Sequence, residues 1–490
     1  MTLLRTTQLP RRASNRAQRR RARRRRRGVA FVLVLGALTI LSLMLSEIQD
    51  SSSAEFSSSL TARDLLVAEY AARSAANLTR LLIASEPTMR RALAPLFMMG
   101  GMRNPPQLPV WEFADRLLGP FNDPTASEAF ISFSGLDLTK GKNLGLPGAS
   151  FDLVIVDEES KININSVGRP GNVTGQVRLM NQLMTLMMGP QYDPLFEGRD
   201  KEGNYADRQA VCAAIMDWAD DNQDTANCNV QNNTFAQSTS TEDSFYEMLD
   251  KPFRRKNAAY DSLLELRRVR GMTDDFWATF VEPDADNPKK RLLTVWGSAN
   301  AININTASPQ NLLMLICSVT QKQGVTPRFC TDPMEMQKLV MLLTMARGFL
   351  GGAPPFESPR ALINTLQGKG MLGPMLTGLG IEPIPTLSAD AENEMTTESK
   401  VFSIYATGIV KTGKRETRAR VHTVIDFRGA PPPTAAQILG SGGTTGVGGT
   451  TAIPPTSGAA SGTGGTGGST GINGALVPNP AGNVVYFRLD

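Results

Sequence analysis

An α+β fold with its helix first is what this chain predicts, and three observations carry that expectation. An uncharged apolar run, Val29 to Leu45, flows into a stretch without glycine or proline that lasts from Ala37 to Glu86. Residues 150–157 and 400–427 place apolar side chains in alternation or clusters at strand length. Between those strands lies a long, mostly helical stretch whose two ends echo each other.

The chain opens on a basic leader. Segment 1–28 holds twelve arginines and no acidic residue, five of them consecutive from Arg23 to Arg27. The 17 residues of Val29–Leu45 are just long enough to cross bilayer hydrocarbon as a helix. Because the basic residues all precede that run, residues 1–28 are expected in the cytoplasm and the rest outside. Three readings compete. A cleaved secretory signal would have an apolar core of about 7–15 residues and then a small-residue site, for which Ser53-Ala54 would serve. A plain signal anchor is the second. The third starts from Gly28, which ends the basic leader where the apolar run begins, and from Val67, Ala71, Ala75, Leu78 and Leu82, whose spacing continues the helix outward as an amphipathic stem.

Pro87, Gly100-Gly101 and Pro105-Pro106 mark a turn region after the stem. Strands are expected over 129–136 and 150–157. Asp157-Glu-Glu-Ser-Lys-Ile-Asn-Ile-Asn165 is then echoed by Ala301-Ile-Asn-Ile-Asn-Thr-Ala-Ser-Pro309, and each copy leads into a helical run, 176–188 and 309–318. Ser308 followed by Pro309 supplies a capping hydroxyl and a first-turn proline. Further helices are expected over 261–270, ending at Gly271, and 336–347, ending near Gly348. Segment 400–427 reads as a hairpin around Thr-Gly-Lys. The Gly/Thr/Ser/Pro-rich segment 429–475 cannot bury a core, and 483–489 is strand-like again, returning to the sheet.

The four cysteines allow three connectivities. The two local pairs, Cys212 with Cys228 and Cys317 with Cys330, close short loops at low entropic cost and suit an oxidising compartment. Asp217, Asp220, Asp221 and Asp224, followed by Glu242 and Asp243, carry enough oxygens for calcium, which takes about six to eight. The frame beginning at Asp220 opens like an EF-hand loop, with Asn222 third and Asp224 fifth, then departs at Thr225 and Gln231. On residues alone a solvated acidic loop serves as well.

The junction at Gly28 and Val29 resembles a type IV prepilin amino terminus, which implies cleavage after Gly28 by a prepilin peptidase and methylation of the new terminus. Such chains usually carry Glu at the fifth mature position; here it is Leu33. The phrases DEESKININ and ININTASPQNLL, the Asp217-Trp-Ala-Asp220 run, Glu242-Asp243 with Tyr246, Asn257, and the Glu265-Leu-Arg segment ending in Gly271-Met-Thr resemble the minor pseudopilin K family of type II secretion systems. That resemblance implies a type IV pilin-like fold carrying an inserted α-helical domain of SAM-like or helix-hairpin-helix-like type. It implies the leader at 1–28, membrane helix and stem at 29–86, and pilin-like parts at 87–165, 396–428 and 480–490. The insertion then covers 166–395 and the flexible loop 429–479. It also implies calcium bound by the acidic loop, and minor pseudopilins of types I and J and the major pseudopilin as partners. The place implied is the tip of an inner-membrane pseudopilus with its head in the periplasm, near secreted cargo and the outer-membrane secretin.

Composition narrows the alternatives. At 490 residues the chain exceeds one average core. The net charge of +5 belongs to the leader; without its twelve arginines 39 basic residues face 46 acidic ones, a net of −7. That weakens the competing reading, a membrane-anchored helix-hairpin-helix protein whose Arg267, Arg268 and Arg270 would bind DNA phosphates. Enzyme chemistry finds little support: the one histidine, His422, lies in an expected strand, and no phosphate-cradling glycine motif appears. A zinc site is equally unsupported.

Overall fold

The computed structural model describes residues 14–99, 105–122, 143–167, 172–199, 203, 205–229, 236–241, 243–298, 300–349, 354–385, 387, 389–431 and 479–490. The expected strand 129–136, Gln231, Glu242 and most of the Gly-rich segment lie outside them. Two units emerge, 1–67 and 68–490.

Helix α1, Ser14–Met99, runs through both. In the first unit it is the sole element among the described residues. From Val29 onward it is long and apolar enough to cross a membrane, and Phe31, Val32 and Leu33 stand exposed. In the second unit it does not stop at Pro87, where the turn signal placed its end, but continues past Pro87 and Pro95. A proline inside a helix forfeits one backbone hydrogen bond. Here side chains on both sides of Pro87 hold the turn: buried Glu86 accepts from the Leu108 amide at 2.9 Å and pairs with Arg90 at 3.2 Å, and Arg90 reaches Glu398 at 2.8 Å.

The sheet is four-stranded and antiparallel, in the order β1 (Ala149–Asp157), β8 (Val401–Thr412), β9 (Arg415–Asp426), β10 (Asn483–Leu489). The β8–β9 hairpin turns on Gly413-Lys414, and Gly413 has the positive φ of +62° that a two-residue hairpin turn demands of its first residue. Alternation puts Phe151, Leu153 and Ile155, Phe402, Ile404 and Ala406, and Val421 and Ile425 on one face. That face meets Ala72, Ala75, Ala76 and Ile83 of α1, with Val110, Trp111, Ala114 and Leu118 filling the flank. Small helix residues bring the backbones close. A Cβ built on Gly408 would lie 1.8 Å from the Ala68 carbonyl oxygen. The opposite face carries Tyr405 stacked on its cross-strand partner His422, ring centroids 4.0 Å apart. Strand β10 is an edge strand, tied back by Arg80, which donates to the carbonyls of Ala481 at 3.3 Å and Gly482 at 3.1 Å.

Residues 162–395, between β1 and β8 in the chain, build a second apolar core. The echoed segments occupy equivalent places in it. Strand β2 (Ile162–Asn163) pairs in parallel with β5 (Leu293–Thr294), and β6 (Ile302–Asn303) pairs in parallel with β7 (Met395–Thr396). In each copy the first Asn accepts from the amide two residues on, at 2.9 Å. The second Asn clamps a distant aromatic residue by its backbone. Asn165 accepts from the Tyr260 amide at 2.7 Å and donates to its carbonyl at 2.9 Å; Asn305 does the same to Phe356 at 3.1 and 2.9 Å. Helices α2 (Val173–Leu186) and α4 (Pro309–Lys322) follow, capped by Asn172 and Ser308. Helix α3 (Arg208–Ala219) packs against α2, and α5 (Pro333–Phe349) against α4. Hairpin β3 (Asp224–Asn227) and β4 (Ala236–Thr241) is confined to the first copy.

The expected helix over 261–270 is shorter, a 3₁₀ stretch at Leu263–Arg268 flanked by extended Ser262 and Val269. It buries only Leu266, and no side chain caps its start, so little holds a longer helix there.

Candidate functional site

Helix α3 presents the acidic loop. Asp207 caps it, accepting from the Ala210 amide at 2.8 Å, and disulfide Cys212–Cys228 joins its middle to the end of the hairpin's first strand. The second disulfide, Cys317–Cys330, ties α4 to the turn before α5.

The five acidic candidates among the described residues do not behave alike. Asp217 and Asp220 are buried, at 5% and 2% exposure. Asp217 Oδ1 accepts from the Ala226 amide at 2.8 Å. Asp220 Oδ2 accepts from Asn222 Nδ2 at 2.7 Å, while its Oδ1 is buried with no hydrogen-bond partner among the described residues. Burial pushes the Asp217 carboxyl up to about 7 and that of Asp220 up to about 6. Asp221 and Asp224 are exposed on the loop, and Asp243 turns to Arg255 Nε at 2.9 Å. Arg255 also donates through Nη1 to the Asp217 carbonyl at 2.7 Å, so one buried guanidinium already serves this cluster.

No group of three or more His, Cys, Asp or Glu among the described residues is arranged to hold a metal. The oxygens nonetheless include amides. Asn257 sits at φ +47°, donates to the Asn222 carbonyl at 3.2 Å, and leaves its own Oδ1 buried with no hydrogen-bond partner among the described residues. Asn tolerates the left-handed region better than other non-glycine residues, so the backbone at this position is readily accommodated. Asn257 is linked to Asp220 through Asn222, whose carbonyl accepts from Asn257 and whose Nδ2 donates to Asp220 Oδ2. Asn257 carried one sequence signal, its place in the motif order, and nothing in the sequence marked its oxygen as a donor.

A second polar cluster escaped sequence reasoning. Asp157, Glu158, Glu159 and Lys161, the charged start of the first echoed segment, are all buried where β1 leaves the sheet. Asp157 Oδ2 accepts from Ser399 Oγ at 2.5 Å and from the Thr306 hydroxyl, and its Oδ1 accepts from the Glu159 amide at 2.9 Å. Burial lifts Asp157 to about 6 and, together with the Asp157 charge, Glu159 to about 7. Glu158 differs: burial pushes it up, but Lys161 Nζ at 3.3 Å and Thr294 Oγ1 at 2.6 Å outweigh that and hold it low. These contacts join the sheet to both echoed segments.

His422 is not poised for proton transfer. Burial pulls it down to about 4, its ring lies against Tyr405 and Tyr486, and Nε2 has no partner among the described residues. Of the three arginines of the proposed DNA hairpin, two are engaged within the chain and Arg268 is exposed. Arg267 pairs with Asp274 at 3.3 Å and covers the Trp277 ring at 4.1 Å, and Arg270 covers Phe245 at 4.8 Å.

No protein-family model and no curated protein matches the chain. Among solved structures, the crystal structure of the GspK-GspI-GspJ complex from the enterotoxigenic Escherichia coli type 2 secretion system matches at 14% identity. The match spans 57% of this chain and 76% of that chain, with a TM-score of 0.32. A likeness of that size leaves the fold to rest on the helix, sheet and cores described above.

Proposed function

We propose that the chain is a minor pseudopilin of a type II secretion system, of the K kind, standing at the tip of the pseudopilus. The observation that carries this reading is one continuous helix: it starts in a basic leader, is apolar from Val29, and ends with its alanine face laid on an antiparallel sheet. A protein held by one helix and built into a filament by that helix needs this arrangement. The motif order around the two Asn-Ile-Asn segments supports the K assignment, and on this reading the largely helical part between β1 and β8 would be the inserted SAM-like domain.

Leu33 in place of Glu removes the carboxylate that would pair with a neighbour's amino terminus above; an unpaired carboxylate in the bilayer would be costly. A single copy at the top of a filament has no subunit above it. The bulk of the 162–395 part argues the same way, since repeated packing along a shaft would have to accommodate it. The partners are minor pseudopilins of types I and J and the major pseudopilin below, with prepilin peptidase acting first at Gly28. Localisation follows: inner membrane, leader in the cytoplasm, head in the periplasm, close to cargo and the secretin. The role is structural, and calcium held through Asp220 and Asn257, with Asp217 beside them, would fix the acidic loop.

Co-expression with the type I and type J pseudopilins tests the reading. Affinity capture of this chain from detergent extracts should bring both down in a fixed ratio. Capture of this chain alone, with all three expressed and membrane-inserted, would overturn it.

A further inference from the structure

A cleft of about 250 Å³ opens beside the second Asn-Ile-Asn segment, with Asn305 and Thr306 in its lining. Its floor is basic. Arg347, near the end of α5, spends Nη2 on the carbonyls of Ile304 at 3.1 Å and Ala307 at 2.7 Å. No carboxylate pairs with it and its other N–H groups bond to nothing among the described residues, while it lines the cleft. The rest of the lining divides by chemistry. Gln107, Asn305 and Thr306 are polar; Trp111, Pro354 and Pro355 are apolar and buried. Glu112 stands on the rim, turned 3.5 Å from Lys289 Nζ.

A half-buried guanidinium that forms no ion pair among the described residues, with only the charge of Glu112 acting on it from the rim, is expensive, and its planar fork matches a carboxylate in two parallel bonds. The volume is below the range of about 300–1,000 Å³ typical of drug-sized ligands. It suits one carboxylate with one apolar side chain beside it. We propose that this cleft binds a carboxylate attached to an apolar residue, presented by the carboxyl terminus of a peptide or by a free small carboxylic acid. Arg347 takes the carboxylate, the second amide N–H of Gln107 and of Asn305, whose first N–H groups bond the carbonyls of Ser399 at 2.8 Å and Phe356 at 2.9 Å, is left for the remaining lone pairs, and the proline–tryptophan wall takes the apolar group. Glu112 opposes the same charge and so limits affinity.

The test is calorimetric titration of the full chain in detergent micelles with N-acetyl-Ala-Phe as the free acid, N-acetyl-Ala-Phe-amide, and 3-phenylpropionate. The free-acid peptide should bind saturably and the amide about tenfold more weakly or worse, because a charge-assisted bond is lost. Phenylpropionate binding as tightly as the peptide acid identifies a small acid as the ligand; weaker binding identifies a peptide terminus. Arg347→Gln should abolish the difference between acid and amide. Glu112→Gln, which gives up only a surface ion pair, should bind the acid several-fold more tightly without changing the melting temperature. Equal binding of acid and amide, absence of binding by all three probes, or unchanged affinity in Glu112→Gln would each overturn the proposal, and the last holds even if Arg347→Gln fails to fold.

Discussion

Gly408→Ala probes the contact between α1 and the sheet. The added Cβ would sit 1.8 Å from the Ala68 carbonyl oxygen, 2.8 Å from its carbonyl carbon and 2.9 Å from the Ala72 amide nitrogen. All three are backbone atoms of a helix whose Ala68, Ala71, Ala72 and Ala75 are at most 1% exposed, so no side chain can swing away. An ordinary contact needs roughly 3.4 Å or more, which requires the helix to retreat by about 1.5 Å along its packed face. Overpacking a close-packed core costs about 1–3 kcal/mol, and a backbone obstacle puts this case at the upper end. The glycine's extra freedom in the unfolded chain offsets about 0.4–1 kcal/mol of that. A net loss of about 2 kcal/mol is expected, a fall of about 2 °C in melting temperature for a unit of this length. Trp111, whose ring centroid lies 4.6 Å from that of Phe402 in this core, reports the transition by fluorescence in detergent-solubilised full chain. A Gly408→Ala chain that melts with the wild type would refute the close helix–sheet contact.

Two further outcomes follow from the buried acids. Asp157 is raised from its ordinary 3.8 to about 6, so its contribution to stability is fully present below pH 4 and is lost as pH rises through 6. A shift of that size corresponds to about 3 kcal/mol, and Asp157→Asn should flatten the stability profile between pH 4 and 7 relative to wild type; parallel profiles would exclude Asp157 as the titrating group. For the acidic loop, free calcium at about a hundredfold its dissociation constant would stabilise the chain by about 2.7 kcal/mol. Chelator should therefore lower the melting temperature of the wild type and leave Asp220→Asn unmoved, and an unchanged wild-type melt in excess chelator would remove calcium from the account.

Legibility in the sequence followed local physics. Strands β1, β8, β9 and β10 stand where alternation and the Thr-Gly-Lys turn place them, since a half-buried strand writes its burial into every second residue. The start of α4 at Ser308-Pro309 was readable for the same reason, because a cap is a local event. Tertiary contacts were not readable. Pro87 signals an end that Glu86 and Arg90 override through Leu108 and Glu398, residues far away in the chain. The Asn-Ile-Asn echo was visible, but not that Asn165 and Asn305 each clamp a backbone about 51 to 95 residues on. Asp157-Glu-Glu-Ser-Lys161 has the composition of a solvated loop, and its burial depends on hydroxyls contributed by Thr294, Thr306 and Ser399. Asn257 was visible as part of the motif order, but its left-handed backbone was not.

The amino-terminal peptide of the membrane-extracted protein tests the central claim most directly, with its mass measured after expression with and without a prepilin peptidase. The account predicts a new terminus at Val29, methylated, that appears only with the peptidase. An intact leader in both samples, or a cut near Ala54, would contradict it and leave an ordinary membrane anchor or a secreted protein.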